Sequence, residues 1–214
     1  MQSSSDILFV ATNEELAAIA RQVAASLGRP LDVVTGSPLT AVELAKEADR
    51  KGYSAIVSRG TTARLMERFG LPAPVIRVRV TGYDAVRALV TAGKYAGHVG
   101  VVGSDDMIQW VDTLDQLVGV RVSARVAESW DDTCDAIRSL RDAGAGAIVG
   151  WNLVQRRAAE VGLPFVPLSS GPEAVHTALA EAISVADARH REAERAEQLK
   201  AILSSVTNAV VAVD

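Results

Sequence analysis

Short apolar runs alternate along this chain with longer stretches of helical spacing. Ile7–Ala11, 31–34, 55–57 and 75–80 in the first part, and 99–102, 120–126, 147–149 and 165–168 in the second, are rich in Val and Ile. Gly, Ser, Thr or Pro bound most of them, as expected of buried strands. The stretches between them predict helices. Thr12 with Glu15 and Thr40 with Glu43 read as capping boxes, opening helices through about Leu27 and to near Gly52. Further helices are expected over 62–69 and from Tyr83 to about Tyr95, the latter with Val86, Leu89 and Val90 on one face. A helical region follows over 104–117, Ser129 and Asp132 open a helix to about Ala143, and another covers 153–161. Strands alternating with helices of this length predict an α/β fold: two Rossmann-like lobes in tandem, each a parallel sheet flanked by helices.

The two parts also resemble each other. A shift of 92 residues lays 51–78 on 143–170, with Gly52, Ala55, Ile56, Val57, Arg64, Gly70, Leu71 and Pro72 each meeting an identical residue. Eight identities in 28 ungapped positions point to a duplicated βα unit. The boundaries expected are lobe 1 at about 6–80 plus 171–188 and lobe 2 at about 97–168.

The tail differs in kind. From Pro172 nothing breaks a helix until about Ser204, and Val175, Leu179, Ala182, Ala186, Ala193, Ala196 and Leu203 recur at a spacing of three to four. The first half is expected to pack back on the body. The second, evenly charged over 190–200, is expected to project with an alanine-rich seam suited to a partner helix.

Composition narrows the function classes. With 49% apolar and 22% charged residues the chain is globular rather than disordered. A net charge of −4 argues against gripping a phosphate backbone. Cys134 is the one cysteine, so no internal disulfide forms, and its acidic neighbours Asp131, Asp132 and Asp135 disfavour a thiolate nucleophile. No apolar stretch reaches membrane-spanning length and no secretory signal opens the chain, so a cytoplasmic protein is expected. His98, His176 and His190 lack metal-ligand spacing, and there is no P-loop or Gly-x-Gly-x-x-Gly. No cofactor is expected.

Ligands of open α/β sheets bind beyond the carboxyl ends of the strands. The turns there are small and hydroxylated: Ser58-Arg59-Gly60-Thr61-Thr62, Thr81-Gly82-Tyr83, Ser104 after Gly103, Asn152 after Gly150-Trp151, and Ser169-Ser170. If the lobes face each other, these turns line a cleft. Free N–H groups at a helix start, beside hydroxyls and the Arg59 guanidinium, suit a carboxylate or phosphate. Plainer readings stay open: Gly60 permitting a turn, Thr61 capping, Arg59 pairing with a surface acid, and Ser170 with Glu173 forming a capping box around Pro172.

The motifs Ile56-Val-Ser-Arg-Gly-Thr-Thr-Ala and Val80-Thr-Gly-Tyr-Asp-Ala-Val-Arg-Ala-Leu resemble the amino-terminal sensor domain of the propionate-catabolism activators, which are sigma-54-dependent transcription regulators. The resemblance runs over roughly 6–200 and implies a two-lobed sensor of a small organic acid, 2-methylcitrate in the family's namesake. By motif it assigns the ligand side to Ser58, Arg59, Gly60, Thr61, Thr81, Gly82 and Tyr83. Residues 189–203 would then be a signalling helix, and 204–214 look like the opening of a PAS domain. A homodimer through the carboxyl-terminal helix is expected, with no direct nucleic-acid contact and no membrane partner. Two rival functions remain: a racemase- or lyase-type enzyme acting on a small carboxylate, and a scaffold whose working part is the tail helix.

Overall fold

A computed structural model describes residues 5–103, 108, 111, 114–127 and 129–211. Two compact units divide them: unit 1 takes the chain up to Arg79 and again from Val175, and unit 2 is Val80–Ala174.

Unit 1 contains β1 (Ile7–Ala11), α1 (Glu14–Ser26), β2 (Asp32–Thr35), α2 (Ala41–Lys51), β3 (Ala55–Ser58), α3 (Gly60–Arg68) and β4 (Val75–Arg77). Its strands form one parallel sheet in the order β2-β1-β3-β4. The inner strands β1 and β3 are buried throughout, as parallel strands covered on both faces must be, whereas the edge strand β2 is partly exposed. Leu8, Val10, Ile56 and Met66 form one core cluster with Ala41, Ala45 and Ala48 of α2.

Unit 2 contains α4 (Gly82–Ala92), β5 (His98–Gly103), α5 (Asp115–Val118), β6 (Arg121–Val126), α6 (Trp130–Asp142), β7 (Ala147–Gly150), α7 (Asn152–Glu160) and β8 (Phe165–Pro167). The sheet is again parallel and repeats the order, β6-β5-β7-β8. Gly100 lies in the middle of β5, where a Cβ would stand 2.9 Å from Ile148 Cδ1 and 3.0 Å from Leu140 Cδ1, so α6 can ride close to the sheet. The last helix, α8 (Pro172–Val211), starts in unit 2 and continues in unit 1, where Val175, Ala178, Leu179, Ala182 and Ala186 are buried.

The α/β class, the paired parallel sheets and the long final helix are therefore as expected, and the duplication extends to register. Phe9 pairs with Val57 and Leu8 with Ile56, while Val101 pairs with Val149 and Gly100 with Ile148, each shifted by 92. The ungapped repeat ends at Pro72, however. Ile56 pairs with Val75 but Ile148 with Phe165, so Ala73 and Pro74 are two extra residues in unit 1 and the alignment of 73–78 with 165–170 is out of step.

Local corrections have local causes. Asn13, not Thr12, caps α1, its Oδ1 accepting from Leu16 N–H at 2.8 Å. Thr40 makes no side-chain cap because its hydroxyl is engaged with Ser37. The buried face of α4 is Ala85, Ala88, Leu89 and Ala92, with Val90 exposed. Of the helical region 104–117, only 108, 111 and 114–117 fall among the described residues.

Candidate functional site

The strand-end turns fall into two kinds, according to whether a side chain caps the helix that follows. At the start of α3, Arg59 is the extended N-cap residue and provides no side-chain cap. Gly60 opens the helix at φ 58, in the left-handed region, and a Cβ there would meet nothing within 4 Å, so this backbone is uncovered. Thr61 is exposed and Thr62 is buried. The Thr62 hydroxyl is enclosed without a hydrogen-bond partner among the described residues, whereas Ser58, also buried, donates to the Val10 carbonyl at 2.9 Å and ties β3 to β1.

The start of α7 repeats this arrangement in unit 2. Trp151 is its N-cap residue, again without a side-chain cap, and the indole Nε1–H is enclosed and has no partner among the described residues. Asn152 begins the helix, but its side chain lies outside the described part of the structure, as does Ser104 altogether. Ser169 is half-buried; Ser170 is buried at 3% exposure, and its hydroxyl too has no partner among the described residues. Leu168 N–H donates to the Gly150 carbonyl at 2.7 Å, which sets the 168–170 segment beside the 150–151 turn.

The start of α4 is closed. Asp84, with 2% exposure, accepts from the Thr81 N–H at 2.9 Å, from the Thr81 hydroxyl at 2.9 Å, and from the Gly171 N–H at 2.7 Å. Thr81 Oγ1 accepts in turn from the Asp84 N–H at 3.3 Å, completing a capping box. Arg87 stands 3.8 Å from Asp84 and 3.2 Å from Glu173, over Gly171. The Glu173 carboxyl is held below the usual carboxylate range, first by its own backbone N–H and then by Arg87. Gly82 and Tyr83 are both exposed. The structure thus brings Thr81 together with the Ser170-Gly171 turn, through a carboxylate the sequence reading left out. The expected Ser170–Glu173 capping box does not form with the Ser170 hydroxyl. The Thr-x-x-Asp spacing at 81–84 was the signal for Asp84.

Cys134 is buried and accepts from Arg157 Nε at 2.8 Å. Among the described residues no group of three or more His, Cys, Asp or Glu side chains is placed to hold a metal, and no helix is long and apolar enough to cross a membrane.

The sequence matches the family described as propionate catabolism activator over residues 28–192. The chain belongs to that family. As a propionate catabolism activator domain it is a sensor domain of a transcriptional activator, as the motifs at 56–63 and 80–89 implied. Its fold is that of an NtrC family transcriptional regulator from Clostridium acetobutylicum, at a TM-score of 0.71 and 22% identity over 88% of this chain and 100% of that one. More distant likenesses include a glucose-galactose binding protein from Geobacillus stearothermophilus, at a TM-score of 0.43 and 13% identity over 87% of this chain and 92% of that one. Another is a transcription regulation repressor of the LacI family from Corynebacterium glutamicum, at 0.45 and 10% identity over 86% and 92%.

Proposed function

We propose that this sensor domain recognises a small organic acid, 2-methylcitrate-like in its carboxylates and hydroxyl, at the open strand-end turns, and signals through α8. One observation carries the reading. The Thr62 hydroxyl, the Trp151 indole N–H and the Ser170 hydroxyl are buried polar groups without partners among the described residues, and each lies in or beside a turn that follows a strand. Buried polar groups are nearly always satisfied, and a bound oxygen-rich molecule satisfies hydroxyls and N–H groups alike. The uncapped start of α3, with Arg59 beside it, supplies the positive end. Ser58, Gly60 and Thr61 shape that turn. Thr81, Gly82 and Tyr83 belong to the closed start of α4, with the Thr81 donors serving Asp84.

A ligand changes the state of a protein only through unequal affinity for its conformations. The carboxyl-terminal helix is the element whose exposed part can carry such a change onward, as the helix of a homodimer. The test is a thermal-shift panel of di- and tricarboxylates with sugar phosphates as contrast. An organic acid is expected to raise the melting temperature. Arg59→Ala is expected to weaken that binding by about 2 kcal/mol. No shift from any acid across the panel overturns the small-acid reading.

A further inference from the structure

Where α8 leaves unit 1 it is gripped by one residue from the segment leading into each strand of that sheet. Asp6 precedes β1, Arg29 precedes β2, Ser54 precedes β3 and Pro72 precedes β4. Arg29 Nη2 donates to Asp187 at 2.7 Å and stands 3.8 Å from Asp6. His190 places Nδ1 3.7 Å from the same Asp6 carboxylate and Nε2 3.2 Å from Ser54 Oγ. Arg189 Nη1 donates to the Pro72 carbonyl at 3.1 Å. Asp187, Arg189 and His190 fall within about one helical turn. Every residue from 191 to 203 is exposed, so among the described side chains burial of the helix against the body ends at this polar collar.

The apolar stripe above the collar is a poor ruler. A slide of four residues lays Ala174 on Ala178, Val175 on Leu179, Ala178 on Ala182, Leu179 on Ile183 and Ala182 on Ala186. Five of the six buried apolar side chains land where another apolar side chain had been, while Ala186 falls on His190 of the collar. Packing therefore separates these two positions weakly, and directional contacts have to choose between them. The Gly171 N–H bond to Asp84 supplies one just before the helix, and the collar supplies the others at the end opposite the ligand turns: Ser54, just before β3, and Ser58, at its end, are four residues, about 13 Å, apart.

We propose that α8 is a sliding helix whose register is locked by this collar, and that release of the collar is the domain's output step. One-turn shifts of a helix past a fixed surface are an established form of switching. Only the second clause rests on the ligand reading above; the register lock stands or falls on the chain alone.

The experiment measures a distance without any ligand. Spin labels are placed at the exposed positions Glu43 and Arg195, with Cys134 replaced by Ala, and pulsed dipolar spectroscopy records their separation. The parent gives one narrow distribution. Arg29→Ala with Asp187→Ala gives a second population displaced by about 6 Å along the helix, four residues at 1.5 Å each. Arg29→Lys, which keeps the cation, retains the parent distribution. A single narrow distribution in the double variant overturns the lock. So does broadening accompanied by loss of amide protection over 175–186, because that is fraying rather than sliding. Failure of the organic-acid panel leaves this measurement untouched, and the reverse also holds.

Discussion

Two pairs of helix starts in this protein have opposite chemistry. Before α4 and α6, Thr81 and Ser129 each accept from the third helical residue, and the carboxylates of Asp84 and Asp132 reach back to the cap N–H. Before α3 and α7, Arg59 and Trp151 offer no side-chain cap. A closed start has spent first-turn donors on a side chain of its own cap; an open one has no side-chain cap on them, although at α7 the Val154 N–H bonds the Trp151 carbonyl at 2.9 Å. The 92-residue register lays Arg59 on Trp151, so the duplication has kept the openness and exchanged a guanidinium for an indole. The difference teaches that a Ser- and Thr-rich turn is not in itself a binding turn. What matters is whether a carboxylate of the protein already sits there.

The largest test separates the two closed starts from each other. Asp84→Ala removes a buried acceptor from the Thr81 and Gly171 donors and is expected to lower the unfolding free energy by about 3 kcal/mol in urea denaturation. Asp132→Ala, at an exposed cap, should cost about 1 kcal/mol. Equal losses would mean that the Asp84–Gly171 bond, joining residues 87 apart, contributes nothing beyond local capping.

A second test concerns the open starts. Gly60→Ala places a side chain at φ 58 and should cost about 1 kcal/mol, while Asn152→Ala, where φ is not positive, should cost less. If the two substitutions cost the same, the two turns share a backbone need that their dihedrals deny.

The smallest effect is a difference in pH dependence between the units. Tyr53 donates to Asp32 at 2.5 Å, and its hydroxyl pKa is raised by burial first and by the Asp32 hydrogen bond and charge second. Its repeat counterpart is Ala145. A phenol whose pKa is raised on folding stabilises fully below the unfolded value of about 10 and loses that contribution as pH climbs further. Melting curves above about pH 10 should therefore fall less steeply in Tyr53→Phe than in the parent. Parallel alkaline profiles would remove Tyr53 as the cause.

Much of the fold was legible because the strands are short β-branched runs and several helix boundaries carry local chemistry. Ser129 with Asp132 opened α6 as read. Gly52 closed α2 in the left-handed conformation that its residue type permits. Reading failed where the signal was small or non-local. Alanine hardly registers on a hydropathy scale, so the Ala85, Ala88 and Ala92 face of α4 lost to Val86 and Val90. The slip at Ala73-Pro74 was hidden by the identical Gly-Leu-Pro before it. In the candidate site, the turns could be named from residue type, but not which donors were free. That depends on Asp84 meeting Gly171 and on hydroxyls such as those of Thr62 and Ser170 being enclosed, neither of which has a sequence period.

The crossed ownership of helices has a genetic corollary. α4 follows a strand of the first sheet yet counts with unit 2, and α8 follows a strand of the second yet counts mostly with unit 1. A gene cut midway between the repeats would strand each helix with the wrong half. Recombination between relatives can trade one unit intact only if two breakpoints, near Arg79 and Val175, move together.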